Sequence, residues 1–316
     1  MPMSQHPVSH VYRALHETAD TPQVTSTARE AFARSYPDVK LQRLVIVIAA
    51  YNEADNIGAV LDEIPDQIAD VAVSRLVIDD GSSDDTTAVA QRHGALVCTL
   101  AANRGHGVAL RLGYRIAREG GAAYIGTLDG DGQWDPADLP AMVRLLEDDS
   151  ADFVVGSRQL GRTENTDSFR NLGVRFFAAL ISKLTRSRLT DTSSGLRAMR
   201  AGLTGVVRQT QPQYQTSELL IGALYQGFRV AEVPTTMRQR LSGTTKKGDN
   251  LIYGLRYGRV IASTWWRESR AAKTTTTTPA GTTPAGTTAG TTPAGTTPAR
   301  DHPSHAAIRA PRDTRE

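Results

Sequence analysis

Between residues 41 and 158 short β-branched runs alternate with stretches of helical period, and no other feature of the chain constrains its fold as strongly. The runs are LVIVIAA (44–50), RLVIDD (75–80), ALVCTL (95–100), AAYIGTLD (122–129) and DFVVGSR (152–158). Helices are expected near Asp55–Ile68, Asp84–His93, Gly107–Glu119 and Pro136–Glu147. Asp84 and Asp135 suit the N-cap position there, and Pro136 suits a first helical turn. The pattern describes an α/β protein with a single Rossmann-like domain and a largely parallel central sheet. Ligands of such sheets bind at the carboxyl ends of the strands. Glu53, Asp79, Asp80, Asp129 and Asp131 all follow strand ends and are expected to converge.

Composition sets the boundaries. From Lys273 to Arg300 the chain repeats TTPAG, which has too little apolar mass to offset chain entropy. Residues 271–316 are therefore expected to be a disordered tail. Residues 1–40 are polar and mixed, and are expected to form a flexible arm with a short helix around Thr27–Ser35. That leaves 41–270 as one folded domain. The single cysteine, Cys98, excludes an internal disulfide and a thiolate metal site, and its apolar neighbours mark it as core. The longest apolar run, Leu44–Ala50, is far shorter than the ~20 residues that span a bilayer, and the N-terminus has no signal-peptide core. A cytoplasmic protein is expected.

The net charge of +3 conceals an asymmetry. Residues 41–152 hold eight basic and nineteen acidic side chains, whereas 153–270 hold nineteen basic and seven acidic. With opposite charge in the two halves and no dense basic patch, nucleic acid is not an expected partner.

After the first strand the sequence AAYNEADN lacks the GxGxxG turn of dinucleotide sites, and the chain has no GxxxxGK[ST] phosphate loop. Phosphates need another device. In TLDGDGQWDP, Asp129 and Asp131 can offer hard oxygen ligands to Mg²⁺ or Mn²⁺ bridging a diphosphate. Taken alone, the same Asp-Gly-Asp is also an ordinary polar turn.

It does not stand alone. AAYNE (49–53), VIDDGSSDDT (77–86), NRGHG (103–107), LDGDGQWDP (128–136), VVGSR (154–158) and TDTSSGLRAM (190–199) follow one another as in family-2 glycosyltransferases of the glycosyltransferase A-type fold. With TSELL (216–220) and RLSGTTKKG (240–248), the chain most resembles their dolichyl- or polyprenyl-phosphate hexosyltransferase branch, the dolichol-phosphate mannose synthase-like enzymes. The resemblance implies that Ala49, Tyr51, Glu53, Ile78 and Asp80 line the base and ribose of a sugar nucleotide, with Asp80 recognising the base. It implies that Asp129 and Asp131 hold the diphosphate and its metal, joined by Gln133, and that Arg158, Arg240 and Lys246 close over the phosphates. Asp131 and Arg240 thereby stabilise the leaving group. Ala49 departs from the proline usual in the family, which leaves the nucleobase, and so a GDP- or a UDP-hexose donor, undecided.

Inversion by one in-line attack needs a carboxylate base when the acceptor is an alcohol. A phosphate acceptor is largely anionic already and needs at most orientation. Asp191 is the candidate for that role, with an Asp capping its own turn as the plainer alternative. Glu218 is a weaker candidate that reads better as a supporting carboxylate, and His106 reads as a loop residue near the donor.

FRNLGVRFFAALISKLTRSRL (169–189) intersperses apolar and basic residues at helical spacing. That pattern suits either a core-packing helix or a membrane-surface helix that gathers anionic headgroups. Residues 249–266, with Trp265 and Trp266, are a second candidate of the same kind. The expected partners are a nucleotide-sugar donor, a polyprenyl-phosphate acceptor and, peripherally, the inner face of the membrane. Two alternatives remain open here: a family-2 transferase using a hydroxyl acceptor in polysaccharide or cell-wall glycan synthesis, and a catalytically silent sugar-nucleotide-binding protein.

Overall fold

The computed structural model of the protein describes residues 22–164, 168–242 and 250–276. Strand β1 (Leu44–Ala50) is buried along its whole length. Leu44, Ile46 and Ile48 enter one hydrophobic core, while Val45, Val47 and Ala49 enter another. A strand buried on both faces needs helices on both sides of its sheet, which gives three layers.

The other strands are β2 (Gln67–Ile68), β3 (Val71–Asp79), β4 (Leu96–Thr99), β5 (Tyr124–Asp129), β6 (Phe153–Thr163), β7 (Arg197–Arg200) and β8 (Val230–Met237). They run in the order β4-β3-β1-β5-β7-β6-β8, with β2 as a short addition to β3. The pairs β3/β4, β1/β3, β1/β5 and β6/β8 are parallel, and β7 runs antiparallel between β5 and β6. One face is covered by α1 (Pro22–Ser35), α4 (His106–Glu119), α6 (Ser168–Thr185), α7 (Leu203–Val206), α8 (Gln215–Tyr225) and α9 (Asn250–Thr276). The other is covered by α2 (Ala54–Asp62), α3 (Thr86–Arg92) and α5 (Leu139–Glu147). Helix α4 lies close on the sheet because Gly113 has no side chain, and a Cβ there would stand 2.3 Å from Val47 Cγ1.

All five expected strands form. The helix expected to reach Ile68 stops at Asp62, since Pro65 disfavours helical backbone at Ile64. The chain then makes β2 and turns back through Ala69 and Asp70, both left-handed, so β3 starts at Val71. Asp135 caps as expected, its carboxylate accepting the Ala137 N–H, although its first turn is a 3₁₀ turn at Pro136–Asp138. Asp84 also accepts at a helix start, from Thr86 N–H at 3.1 Å, one residue before the N-cap position.

Part of the segment expected to be a flexible arm is packed. The buried Ala28 of α1 offers its carbonyl to Cys98 Sγ at 3.5 Å, the Tyr36 hydroxyl accepts the Val97 N–H, and Arg29 pairs with Glu119 at 2.8 Å. Cys98 itself is core, and burial pushes its thiol up to about 12. Residues 1–21 and the tail from 277 lie outside the described residues, while α9 runs past the expected boundary at 270 to Thr276.

Candidate active site

In-register parallel pairing sets Ala50 beside Asp79, and Ala49 beside both Ile78 and Asp129. The carboxyl ends of β1, β3 and β5 therefore share one edge, as the strand-end acids anticipated. Asp129 Oδ2 accepts Trp134 Nε1–H at 2.8 Å, and Asp131 Oδ1 accepts the Gln133 N–H at 3.2 Å. Burial, and then the neighbouring Asp129 charge, push the Asp131 carboxyl up to about 6.

Arg240, from the loop after β8, closes this edge. Its Nη2 donates to Glu53 at 2.5 Å, its Nη1 lies 3.2 Å from Asp131 Oδ2, and its Nε donates to the Ser242 carbonyl at 2.7 Å. Glu53 also accepts Asn56 Nδ2–H at 2.7 Å, and Asn56 Oδ1 accepts the Ser242 hydroxyl at 2.8 Å. The loop can run this close to the Asp-Gly-Asp turn because Gly132 is left-handed at φ +73° and a Cβ there would meet Leu241 at 2.5 Å. Lys246 lies outside the described residues.

Asp80 is buried at the end of β3, and burial pushes its carboxyl up to about 6 against two backbone hydrogen bonds. These come from Arg104 N–H at 2.7 Å and Gly105 N–H at 2.8 Å, so both oxygens are engaged in holding the NRGHG loop. For Asp80 and Asp131 the folded state binds the proton more tightly than the unfolded chain. Their contribution to stability is fullest below about pH 4 and is lost as pH rises through about 6. The site thus carries excess negative charge at neutral pH. His106 opens α4 with Nε2 3.9 Å from Asp129 Oδ1, placing it at the site's edge. Tyr51 is exposed at the mouth, whereas the Ile78 side chain is wholly buried in the core and cannot line a ligand.

Two further expectations are corrected. Asp191 is completely buried and binds Arg158 as a fork, with Nε at 2.6 Å from Oδ2 and Nη2 at 2.8 Å from Oδ1. Locked in this way, it is not placed to serve as a solvent-side base. Burial pulls the Arg158 guanidinium down, but Asp191 more than offsets this and the group is held above its ordinary value. Arg158 also lies over the Trp134 ring, 5.4 Å from its centroid, so it braces the acidic loop from within rather than closing over it. Glu218 is likewise buried and accepts from Thr210 N–H, Gln211 N–H and Arg267. That is the supporting role expected of it.

Sequence reasoning passed over Asn56, Trp134, Ser242 and Glu232. Trp134, five residues after Asp129, was visible inside the motif as a donor of the right length. Glu232 carried no local signal, because its oxygens accept N–H groups of Thr190 and Asp191 some forty residues away.

A family model described as glycosyl transferase family 2 matches residues 45–207, which contain the acidic edge, Arg158 and Asp191. The chain belongs to glycosyl transferase family 2. This family 2 enzyme is 33% identical over 203 residues to the dolichyl-phosphate hexose transferase of Haloferax volcanii, covering 64% of this chain and 86% of that protein. It is 27% identical to the undecaprenyl-phosphate mannosyltransferase of Micrococcus luteus, over 66% of this chain and 89% of that protein. Among solved structures, glucosyl-3-phosphoglycerate synthase from Mycobacterium tuberculosis in complex with Mn²⁺ and UDP-glucose is similar with a TM-score of 0.56. The identity there is 21%, over 76% of this chain and 83% of that one. That likeness establishes a glycosyltransferase A-type fold, and the chain is a glycosyltransferase.

Proposed function

We propose that this glycosyltransferase moves a hexose from a nucleotide sugar to a polyprenyl phosphate, with inversion at the anomeric carbon and with a divalent cation at Asp129 and Asp131. The observation that carries the acceptor is that both carboxylates considered as bases, Asp191 and Glu218, are buried and engaged. A phosphate monoester is already largely anionic near neutral pH and attacks without a base. The relatives from Haloferax and Micrococcus, named for dolichyl and undecaprenyl phosphate, support the same acceptor.

The residues present fit a hard cation. Asp129 and Asp131 are oxygen donors, and the Asp131 carboxyl, raised first by burial and then by the neighbouring Asp129 charge, would gain from a nearby cation. Gln133 would stand beside them, and either Mg²⁺ or Mn²⁺ suits the donor set. When bound, the cation supplies charge neutralisation at the departing diphosphate. Glu53, Tyr51 and the Asp80-held loop position the base and ribose. Arg240 can exchange a carboxylate partner for a phosphate oxygen, a trade that guanidinium geometry favours. Lys246, six residues after Arg240 in the sequence, would add a second cation.

Incubating the protein with polyprenyl phosphate in detergent and labelled GDP- and UDP-hexoses is expected to move label into the organic phase. Transfer only to hydroxyl acceptors would overturn the reading. Proton and cation compete for Asp131, so Mg²⁺ or Mn²⁺ should raise Tm clearly at about pH 7.5. Apparent affinity should fall by up to about tenfold per pH unit below about 6. A Tm increment that is the same at both ends of this range counts against a cation at Asp131.

Membrane association would be peripheral, at the inner face. No helix among the described residues is long and apolar enough to cross a membrane. Helix α6 packs Phe177 and Ile181 on the core, and the outward pair Leu172 (66% exposed) and Phe176 (61% exposed), at i, i+4 beside Arg175, supports a membrane-surface role. Replacing Leu172 and Phe176 together with Ser should weaken binding to anionic vesicles by at least about tenfold, from ~1.5–3 kcal/mol per inserted side chain. The fold should be unchanged, since neither side chain is buried. Unaltered vesicle partition in a folded variant would remove α6 from the interface.

A further inference from the structure

Strands β5 and β7 pair with Thr127 opposite Arg197, which brings the turn at 191–196 against the acidic edge. Gly195 lies directly on the Asp129 carboxylate. A Cβ there would stand 2.3 Å from Asp129 Oδ2, 2.7 Å from its Cγ and 2.6 Å from Trp134 Nε1, the two ends of the hydrogen bond that fixes Asp129. Its φ falls outside the left-handed region, so alanine could take the same backbone, and what glycine supplies is the missing side chain. The turn is also pinned, and cannot retreat to make room. The Gly195 carbonyl accepts the Thr127 hydroxyl at 2.7 Å. Arg197, buried beneath, donates through Nε to the Ser194 carbonyl at 2.8 Å, through Nη2 to the Thr192 carbonyl at 3.3 Å and through Nη1 to the Thr216 carbonyl of α8 at 2.6 Å. A guanidinium is costly to bury unless its donors are bonded, and two of these three bonds hold the turn. From the side, Arg158 Nη2 donates to the Ser193 hydroxyl at 2.7 Å as well as to Asp191.

We infer that Gly195 is a positioning residue for Asp129: the pinned turn is a stop against which the carboxylate rests, with Oδ2 bound to Trp134 and Oδ1 turned to the His106 side of the site. The inference rests on the reading of Asp129 as a cation ligand. A ligand oxygen has to be held within about 0.5 Å of its working place, and side chains that orient a ligand from behind affect metal affinity almost as strongly as the ligands do. A backbone surface does this more rigidly than a side chain, because it has no rotamers to exchange. A methyl group at 195 would meet the far ends of two side chains rather than the backbone of the sheet. It would therefore be accommodated by displacing the Asp129 carboxylate, the Trp134 ring or both, with the layers of the fold left in place.

Gly195→Ala is compared with wild type and with Gly202→Ala, where a Cβ meets nothing within 4 Å. Two readouts apply to the full chain without donor. The first, in chelator, is the indole N–H resonance of Trp134 in ¹⁵N-labelled protein, identified among the three tryptophans by its loss in Trp134→Phe. It is expected to move in Gly195→Ala and to stay in Gly202→Ala. The second is Mn²⁺ affinity, expected to fall about 10–100-fold in Gly195→Ala and to hold in Gly202→Ala. Trp134→Phe removes one of the atoms the methyl would meet, so the loss in Trp134→Phe/Gly195→Ala should be smaller than the two single losses combined. Should Gly195→Ala not melt cooperatively, Thr127→Val frees the Gly195 carbonyl without adding a methyl at 195, and the resonance and the affinity should both change in it. An unmoved resonance, a wild-type Mn²⁺ affinity or fully additive losses overturn the assignment. Because the resonance is read without metal, failure of the cation reading, seen as no Mn²⁺ binding by wild type, is distinct from failure of this inference.

Discussion

Asp131→Ala is expected to lower kcat by at least about 10²-fold, the usual consequence of losing one charge-stabilising group at a developing anion. Asp131 is the acid on which the site's electrostatics turn. Asp129 is fixed by Trp134, Glu53 is fixed by Asn56, and Arg240 ties Asp131 to Glu53. Its own carboxyl is pushed up to about 6 by burial and then by Asp129, so its removal relieves repulsion and the fold should keep its Tm. The Tm increment produced by Mg²⁺ or Mn²⁺ should disappear in the same variant. A variant that turns over at near wild-type rate in chelator would end the metal-dependent mechanism.

The second large effect is on stability. Asp191→Ala leaves the Arg158 guanidinium buried without its bidentate partner, and breaking such a pair from one side costs about 3–5 kcal/mol. In a folded unit of this size that lowers Tm by on the order of 10 °C. Because a buried pair is worth far less against an apolar replacement than either half is against nothing, Asp191→Ala with Arg158→Met should recover much of the loss. A catalytic base would behave otherwise: Asp191→Asn would hold Tm and abolish turnover. Thermal melts and kcat on these three variants separate the two roles, and a stable, inactive Asp191→Asn protein would restore Asp191 as the base.

Much of the candidate site was legible in the sequence because each acid follows a strand. Glu53, Asp80, Asp129 and Asp131 needed only the rule that parallel strands end on one edge, and the observed register of β1 with β3 and β5 obeys it. Asp191 was not legible in the same way. Its turn in TDTSSGLR has the look of a capping or catalytic acid, and nothing within ten residues shows that an arginine 33 positions earlier takes both its oxygens. Strand β7 escaped for a related reason. RAMR is four residues with an arginine at each end, yet Arg197 is buried because the carbonyls of Ser194, Thr216 and Thr192 satisfy its guanidinium.

By itself, then, the sequence determined the layered α/β class, the five strands of its first half and the edge on which the acids meet. These follow from local periodicity and from strand ends, which short stretches of chain carry within themselves. Tertiary structure alone decided what each charge is bonded to. Arg240 reaches Asp131 across 109 residues and Glu53 across 187, the antiparallel β7 enters between β5 and β6 from far along the chain, and α1 closes over β4. Those choices depend on which side chains are desolvated together, and desolvation is a property of the packed molecule rather than of any segment of it.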